Sequence, residues 1–281
     1  MKIVRTIAAL ERALAPARRR GRRIILVPTM GALHEGHARL IRLARQRAGP
    51  RGTVAVSVFV NPAQFNQRAD FEKYPRARAR DAALCRAEGA DLLFAPSAAA
   101  MYLPSHSTWV TEESLSLPLC GARRPGHFRG VCTIVLKLFN LIRPAEAIFG
   151  LKDRQQTLVI RRMTRDLNLP VRIVDAPTVR ESDGLAMSSR NRRLTPRGRR
   201  LAALLNGALA FTRNAFLRGE RRPSRLILLA RHLLRQPGLR VEYLEIVRSA
   251  DLRAARRAAH GDLLAAAIWV DGVRLIDNLR L

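Results

Sequence analysis

Short apolar runs alternate with amphipathic stretches through the first two thirds of the chain. The apolar runs predict strands at Ile24–Val27, Val54–Val60, Leu92–Phe94, Ala147–Phe149 and Val171–Val174. Between them, apolar residues recur every three or four positions and predict helices at Ala38–Arg47, Phe71–Glu88, Val131–Ile142 and Gln155–Leu167. This alternation is typical of a parallel sheet covered by helices on both faces, in which ligands bind at the carboxyl ends of the strands.

The pattern changes after about residue 180. Two predicted helices are followed there by three extended segments: Arg197–Leu217 and Arg225–Leu234, then Val241–Val247, Leu263–Val270 and Val273–Ile276. We therefore expect an α/β protein with a parallel-sheet domain over residues 1–179 and a smaller α+β domain over residues 180–281. The hinge is expected near Val179–Asp183.

Composition narrows the class of protein. With 281 residues, 48% of them hydrophobic, the chain can bury a sizeable core. No apolar run approaches the length that spans a bilayer and no secretory signal precedes the first element, so no membrane association is expected. Cys85, Cys120 and Cys132 form no CxxC pair, which indicates reduced thiols and a cytoplasmic location.

The formal net charge of +29 points towards a nucleic-acid partner, but the distribution of the charge argues against one. Only four of the 51 basic residues are lysines, and the arginines are spread along a chain that is also rich in alanine. This is the composition expected of an ordinary fold encoded in a GC-rich genome. Aromatic residues make up 5% of the chain and are not interleaved with the basic runs, so no specific nucleic acid is predicted.

The most informative segment, MGALHEGH from Met30 to His37, follows the first predicted strand. A glycine-containing turn leads into a helix, and His34 and His37, three residues apart, share one helix face. The N–H groups and positive dipole at a helix start favour an anion such as phosphate, and imidazole N–H groups would stabilise charge that develops on it. A helix cap or a buried structural pair is the alternative, and spacing alone does not decide between them.

Two other predicted strands end in polar side chains. Asn61 and Gln64 follow the second strand, and their amides are candidates for holding a small polar substrate, the alternative being an ordinary Asn-Pro turn. Gly150 and Lys152 follow a later strand. A lysine kept in so arginine-rich a chain indicates a need for a compact ammonium group, as at a phosphate.

Two loops complete the set of candidates. The segment from Met187 to Arg190 carries two hydroxyls and a guanidinium, which could fold over a triphosphate. In isolation, an ordinary serine-rich turn is the simpler interpretation. His127, in the segment PGHFRG, could belong to a loop over the site, but we expect a buried structural role for it.

Taken together and in this order, these segments resemble one family. MGALHEGH contains the HxGH signature of the nucleotidylyltransferase superfamily, and FVNPAQF, RPGHFRGV, FGLKDRQQ and DGLAMSSRN resemble segments of the pantoate–β-alanine ligases. DFEKYPR at residues 70–76, the segment at 84–97 and RLIDN at 274–278 also fit, so the resemblance covers nearly the whole chain. HxGH alone would indicate only the superfamily, whereas the combination is specific.

The resemblance implies a two-step reaction. The carboxylate of pantoate attacks the α-phosphate of ATP to give pantoyl adenylate and pyrophosphate, and the amine of β-alanine then displaces AMP to give pantothenate, on the route to coenzyme A. It also implies Mg²⁺ with the ATP, a Rossmann-like catalytic domain, a smaller C-terminal α+β lid domain and a homodimer.

By motif, the resemblance assigns three groups of residues. The catalytic candidates are His34, His37 and Lys152. Of these, His37 is the expected proton donor. The ATP site is expected to comprise Met30, Gly31, Ala32, Leu33, His34, Glu35, Gly36, His37, Gly150, Leu151, Lys152, Asp153, Val179, Met187, Ser188, Ser189 and Arg190. Gln64 and Gln156 are expected to hold pantoate, with Gln64 also near β-alanine and Asn61 beside it. The metal ligands are unassigned, and Asp81 is one candidate.

Four positions depart from the family pattern, which has Glu at Leu151 and at Cys120, an aromatic residue at Arg154 and Met at Ala63. A carboxylate that orders a cationic side chain would be missed. We expect an active enzyme that is slower or binds its substrates less tightly. Two alternatives are a homologue that binds ATP or pantoate without efficient turnover, and an HxGH-type RNA-binding protein.

Overall fold

The computed structural model describes residues 1–281, and the chain divides into two compact units. The first unit comprises Met1–Ser116, Arg124–Leu151 and Gln155–Pro177. The second comprises Leu117–Arg123, Lys152–Arg154 and Thr178–Leu281. The second unit therefore includes two short segments that precede residue 180 in the sequence.

A six-stranded sheet forms the centre of the first unit. Its strands are β1 (Lys2–Val4), β2 (Ile24–Thr29), β3 (Thr53–Val58), β4 (Leu92–Phe94), β5 (Glu146–Gly150) and β6 (Arg172–Ala176). They lie in the order β1-β4-β3-β2-β5-β6, and every neighbouring pair is parallel. The chain leaves β2 towards β3 and later returns to the other side of β2 as β5. A topological switch point, the usual place for a ligand, therefore lies between β2 and β5.

Helices connect these strands and cover the sheet. They are α1 (Ile7–Arg19), α2 (Glu35–Ala48), α3 (Arg68–Glu72), α4 (Arg78–Ala87), α5 (Ala98–Met101), α7 (His127–Ile142) and α8 (Arg154–Asp166). The short helix α6 (Cys120–Arg123), between α5 and α7 in the chain, belongs to the second unit. Ile41 and Ala44 of α2 pack against Ile25 and Val27 of β2, whereas α7 contacts β2 and α1. The residues Ile24–Val27 are all buried, which accounts for the continuous apolar run in β2.

The predicted helix Phe71–Glu88 is wrong, because the chain forms two helices there. Helix α3 ends at Glu72 and α4 begins at Arg78. Pro75 has no N–H to donate, and its ring disfavours helical backbone at Tyr74, so the helix cannot continue through this segment. The restart at Arg78 places Asp81 in the first turn of α4.

The second unit contains two long helices and an antiparallel sheet. They are α9 (Pro196–Leu217), α10 (Pro223–Leu234), β7 (Leu239–Val247), β8 (Leu263–Val270) and β9 (Val273–Arg280), with the strand order β7-β8-β9. Leu209 and Phe216 of α9 pack in one core with Leu264 and Ile268 of β8. The predicted fold class, an α/β parallel-sheet domain with a smaller α+β part, is confirmed.

The three cysteines are free and buried. Burial raises the pKa of Cys85 to about 12, with a further contribution from the charge of Asp81. Burial likewise raises the pKa of Cys132 to about 12, with a contribution from Glu112. Neither thiol is therefore a nucleophile near neutral pH. No helix of the structure combines the length and the apolar character that crossing a bilayer requires.

Candidate active site

A buried carboxylate shapes the turn after β2. Asp81, 1% exposed, accepts hydrogen bonds from the backbone N–H groups of Ala32 (3.0 Å) and Leu33 (2.7 Å). Gly31 has a φ of +83°, and a Cβ on it would lie 2.9 Å from Cγ1 of Val58 and 3.0 Å from Oδ2 of Asp81. Only glycine fits there. Both Asp81 oxygens are used in holding the turn, which gives Asp81 a different role from the metal ligation considered above.

The two histidines of the HxGH segment cap α2 reciprocally. Nδ1 of His34, the N-cap residue, accepts the N–H of Gly36 (3.1 Å). Nδ1 of His37 accepts the N–H of His34 (3.3 Å), and the ring centroids lie 4.1 Å apart. The capping alternative considered from the sequence is therefore real, and both capping hydrogen bonds are accepted by Nδ1.

These contacts define the tautomer of each imidazole. A nitrogen that accepts an N–H cannot itself carry a proton, so in both neutral rings the proton lies on Nε2. His34 and His37 therefore each offer an Nε2–H donor beside the first turn of α2, where the helix dipole favours an anion. The arrangement can stabilise charge on a phosphate by donating hydrogen bonds to it.

The segment after β3 forms a 3-10 turn, Pro62–Gln64, whose N-cap is Asn61. Oδ1 of Asn61 accepts from Tyr102 Oη (2.9 Å) and from the N–H of Ala63 (3.3 Å). Nδ2 of Asn61 donates to Oε1 of Gln64 (3.1 Å) and to the carbonyl of Gly130 (3.0 Å). Asn61 is 1% exposed, and both ends of its amide are used within the protein.

The orientation of the Gln64 amide follows from Asn61. Because Oε1 accepts from Asn61, Nε2 is the donor end of the amide, and it donates to Sδ of Met30 at 2.8 Å. This contact brings Gln64 next to the residue that begins the HxGH segment. Burial raises the pKa of Tyr102 to about 12, although its hydrogen bond to Asn61 opposes this rise. The phenol is therefore protonated near neutral pH and donates a hydrogen bond to Oδ1 of Asn61.

Gly130 allows α7 to lie directly against this turn. A Cβ on Gly130 would lie 2.3 Å from the carbonyl oxygen of Ala63 and 2.8 Å from the backbone nitrogen of Gln64. His127, three residues earlier, is 7% exposed, so the burial expected for it is confirmed. Its ring contacts the same turn, at the carbonyl of Gln64.

At the end of β5, the chain enters a 3-10 turn, Leu151–Asp153. A Cβ on Gly150 would meet no atom within 4 Å, so the packing of the protein does not itself require glycine there. The carbonyl of Lys152 accepts a hydrogen bond from Asn278 (2.9 Å) within the second unit, and the Lys152 ammonium lies 3.9 Å from Asp153.

The two glutamines that open α8 differ. Gln155 is 7% exposed, and its Nε2 donates to the carbonyl of Leu115 (2.9 Å), which is a structural contact. Gln156 is partly exposed, and no hydrogen bond links it to Gln64. Gln156, which the resemblance assigns to pantoate, is therefore the more exposed of the two.

In the second unit, a tight hairpin brings Val179 and Met187 together, with the N–H of Met187 donating to the carbonyl of Val179 (2.9 Å). Ser188 then caps the 3-10 turn Ser189–Arg193 through the N–H of Arg190 (3.2 Å). Asn191, which is buried, donates to Glu181 and to the carbonyl of Ala186. The predicted loop is therefore held by hydrogen bonds through Ser188 and Asn191.

Several supporting residues were not found from the sequence. Asp81 was considered only as a metal ligand, and Tyr102 was not singled out. Gly130 is the one with a visible signal, because a glycine inside an apolar helix marks a close backbone approach. Of the departures, Cys120 is buried in the second unit.

Comparisons with known proteins agree over the whole chain. The model of the family described as Pantoate-beta-alanine ligase matches residues 2–280. The pantothenate synthetase of Moorella thermoacetica is 48% identical over 100% of this chain and 99% of its own. That of Anaeromyxobacter dehalogenans is 51% identical over 98% of this chain and 96% of its own.

Solved structures match equally fully. The pantothenate synthetase of Thermus thermophilus has a TM-score of 0.93 and 43% identity, over 99% of each chain. The pantoate-β-alanine ligase of Francisella tularensis, crystallised with a β,γ-ATP compound and β-alanine, has a TM-score of 0.81 and 29% identity. It matches over 100% of this chain and 97% of its own.

Proposed function

The chain belongs to the pantoate–β-alanine ligase family, and we propose that its reaction is the ATP-dependent condensation of pantoate with β-alanine. In the first step, a carboxylate oxygen of pantoate forms a bond to the α-phosphorus of ATP, and pyrophosphate leaves. In the second, the amine of β-alanine attacks the carbonyl carbon of the adenylate, the bond to AMP breaks, and an amide forms with loss of a proton.

One observation carries this proposal most directly: His34 and His37 cap α2 through Nδ1, at the carboxyl end of β2 beside the switch point. Their Nε2–H groups are suited to the phosphates of ATP, where negative charge moves on to the leaving pyrophosphate. We assign proton donation to His37, which acts in this way as an imidazolium, when Nδ1 also carries a proton and no longer accepts the N–H of His34. No covalent nucleophile is needed, because pyrophosphate is the leaving group, so alignment and charge stabilisation account for the rate.

The remaining substrate contacts are proposed from the motifs. Gln64 and Gln156 bind pantoate, Gln64 as an N–H donor, and Asn61 acts by orienting Gln64. ATP is bound by four parts of the chain: Met30–His37, Gly150–Asp153, Val179 and the loop Met187–Arg190. Lys152 and Arg190 contact phosphate oxygens. Residues 1–179 are the catalytic domain and residues 180–281 a lid that excludes water from the adenylate.

We extend the proposal to Mg²⁺, assembly and location. No group of three or more His, Cys, Asp or Glu side chains suited to a metal ion is present in the structure. Mg²⁺ is commonly held by nucleotide phosphates with one or two protein oxygens, so we propose that it enters as the ATP complex. A homodimer and a cytoplasmic location are proposed from the family resemblance, which also supports small-molecule substrates over nucleic acid.

The test is pyrophosphate release from ATP by the purified protein with D-pantoate, with and without β-alanine. We expect release that depends on pantoate, and pantothenate with AMP once β-alanine is added. A folded protein that binds ATP but gives no pantoate-dependent release would instead be the non-catalytic homologue, disabled at Cys120, Leu151 and Arg154. The comparisons give no support to the RNA-binding alternative.

A further inference from the structure

The backbone carbonyl of Gln64 is held by two side chains from the start of α7. Nδ1 of His127 lies 2.8 Å from this oxygen, and Nη2 of Arg124 lies 2.9 Å from it. Nη1 of Arg124 also lies 3.2 Å from Nε2 of His127, so the three groups form a closed triangle. His127 is the first residue of α7, and Arg124 precedes the helix by three residues.

The partners of His127 fix its protonation. A carbonyl oxygen can only accept, so Nδ1 carries the proton, and a guanidinium can only donate, so Nε2 carries none. His127 is therefore a neutral imidazole with its proton on Nδ1, the opposite tautomer to those of His34 and His37. His127 therefore links the Arg124 guanidinium to the turn that carries Gln64.

Helix α7 thus controls Gln64 at two points. Arg124 and His127 hold its backbone carbonyl, while the carbonyl of Gly130 binds the Asn61 amide that fixes Oε1 of Gln64. With the backbone and Oε1 both fixed, the direction of the Nε2–H group is determined. A displacement of about 1 Å in such a group can reduce a rate by about 10²-fold.

We propose that Arg124 and His127 are positioning residues of the ligase reaction, which orient Gln64 so that its Nε2–H group meets the acid substrate. The inference rests on the proposed function, in which Gln64 binds pantoate. It assigns to His127 more than a buried structural role, because its effect is directed to one substrate. Both residues act through Gln64 and not on the reacting atoms.

Steady-state kinetics of four single variants and one double variant of the full chain test the proposal. His127→Leu removes both nitrogens, His127→Asn keeps an N–H close to the position of Nδ1, and His127→Gln puts one close to Nε2. We expect His127→Leu to raise the KM for pantoate about tenfold, the effect of one hydrogen bond, with the KM for ATP unchanged. The KM for pantoate should be close to wild type in His127→Asn and higher in His127→Gln. Arg124→Gln should also raise the KM for pantoate. In the double variant with His127→Leu, the Arg124 substitution should raise this KM by a smaller factor than it does alone, because both donors bind one oxygen.

His232→Leu, at an exposed site on α10, is the matched control and should leave both KM values unchanged. An unchanged pantoate KM in His127→Leu, or an equal rise for ATP and pantoate, would overturn the positioning role. If His127→Leu does not fold, equal pantoate KM values for the Asn and Gln variants would do the same. A wild-type protein without pantoate-dependent pyrophosphate release is a separate outcome, which overturns the proposed function and this inference with it.

Discussion

The carboxylate of Asp81 binds the backbone nitrogen of Leu33 at 2.7 Å, although the two residues are 48 positions apart in the chain. Its other oxygen accepts the N–H of Ala32. The residue that follows Leu33 is His34, the N-cap of α2. A carboxylate on α4 therefore sets the path of the backbone into the helix whose first turn carries the two histidines.

Asp81→Asn should disturb this turn without changing the size of the side chain. The amide group replaces one acceptor by an N–H donor, which then faces a backbone N–H, and we expect a loss of stability of about 1–3 kcal/mol. The KM for ATP should rise, because the turn leads into the proposed phosphate site. Thermal unfolding and initial rates measure the two effects. Asp166→Asn, at an exposed site, should change neither, and an Asp81→Asn protein with wild-type ATP kinetics would contradict the role of this turn.

Two variants of His37 separate its capping role from its chemical role. His37→Asn keeps an acceptor close to the position of Nδ1 but has no Nε2–H, whereas His37→Ala loses both. We expect both to lower the rate of pyrophosphate release by about 10²–10³-fold. Only the alanine variant should also lose about 1 kcal/mol of stability, the usual effect of removing a cap. Adenylate formation at the wild-type rate in His37→Asn would exclude the proposed proton donor.

Leu151→Glu tests whether the departure from the family pattern impairs the enzyme. A restored carboxylate that orders a nearby cation through a charged hydrogen bond is worth about 1.5–3 kcal/mol. We expect kcat/KM to rise about tenfold, the lower end of that range. Leu167→Glu, at an exposed position, serves as the control. Unchanged kinetics in Leu151→Glu would show that the chain tolerates the leucine fully.

Strands that are buried on both faces could be predicted well from the sequence. Leu92–Phe94 has the bounds that its apolar run predicts, since every residue of it is buried and no polar position interrupts the run. Helix α1 was not predicted, and it contains Pro16, which usually argues against a helix. The predicted helix at Phe71–Glu88 shows the opposite case, because Pro75 does interrupt the helix there.

The motif residues could be named from the sequence, but their supports could not. Asn61 and Gln64 follow a strand, which is a local signal, whereas Tyr102 and His127 reach them from 41 and 63 positions away. Such contacts depend on which elements pack together, and hydrophobic periodicity does not specify this. For the same reason the sequence offered Asn61 as a substrate ligand, while the structure saturates its amide with contacts inside the protein.

Gly130→Ala should be harmful, and Gly207→Ala is its natural control. A Cβ at Gly130 would overlap the backbone of Ala63, and we expect the turn to shift, with a loss of about 1–3 kcal/mol and a raised KM for pantoate. Gly207 is exposed within α9, and a Cβ there would meet no atom within 4 Å. Alanine at 207 should therefore stabilise the protein by about 0.5–1 kcal/mol. Thermal shifts of the same sign in both variants would contradict the close approach of α7 to Gln64.

The stability of the second unit should depend on pH through Glu242. Its carboxylate accepts hydrogen bonds from Nε1 of Trp269 (2.8 Å) and from Nε (2.9 Å) and Nη2 (2.6 Å) of Arg274. Burial alone would raise the pKa of Glu242, but the hydrogen bonds from Arg274 and Trp269, together with the charges of Arg274 and Arg123, outweigh it and hold the pKa below its usual value. Burial would likewise lower the pKa of Arg274, but the hydrogen bond with Glu242 raises the pKa of Arg274 above its usual range.

Because the pKa of Glu242 is lower in the folded state than in the unfolded state, the pair stabilises the fold fully above the unfolded value, about 4.3. That stability is lost as the pH falls through the folded pKa, so the thermal midpoint should fall on acidification below about pH 4. Glu242→Gln should cost about 3–5 kcal/mol at neutral pH, because it leaves the Arg274 charge buried without its counter-ion, and it should flatten the acid profile. Glu245→Gln, on the same strand, is the control and should leave both the midpoint and its pH dependence close to wild type. An acid profile that Glu242→Gln does not flatten would mean that other carboxylates determine the acid sensitivity of the fold.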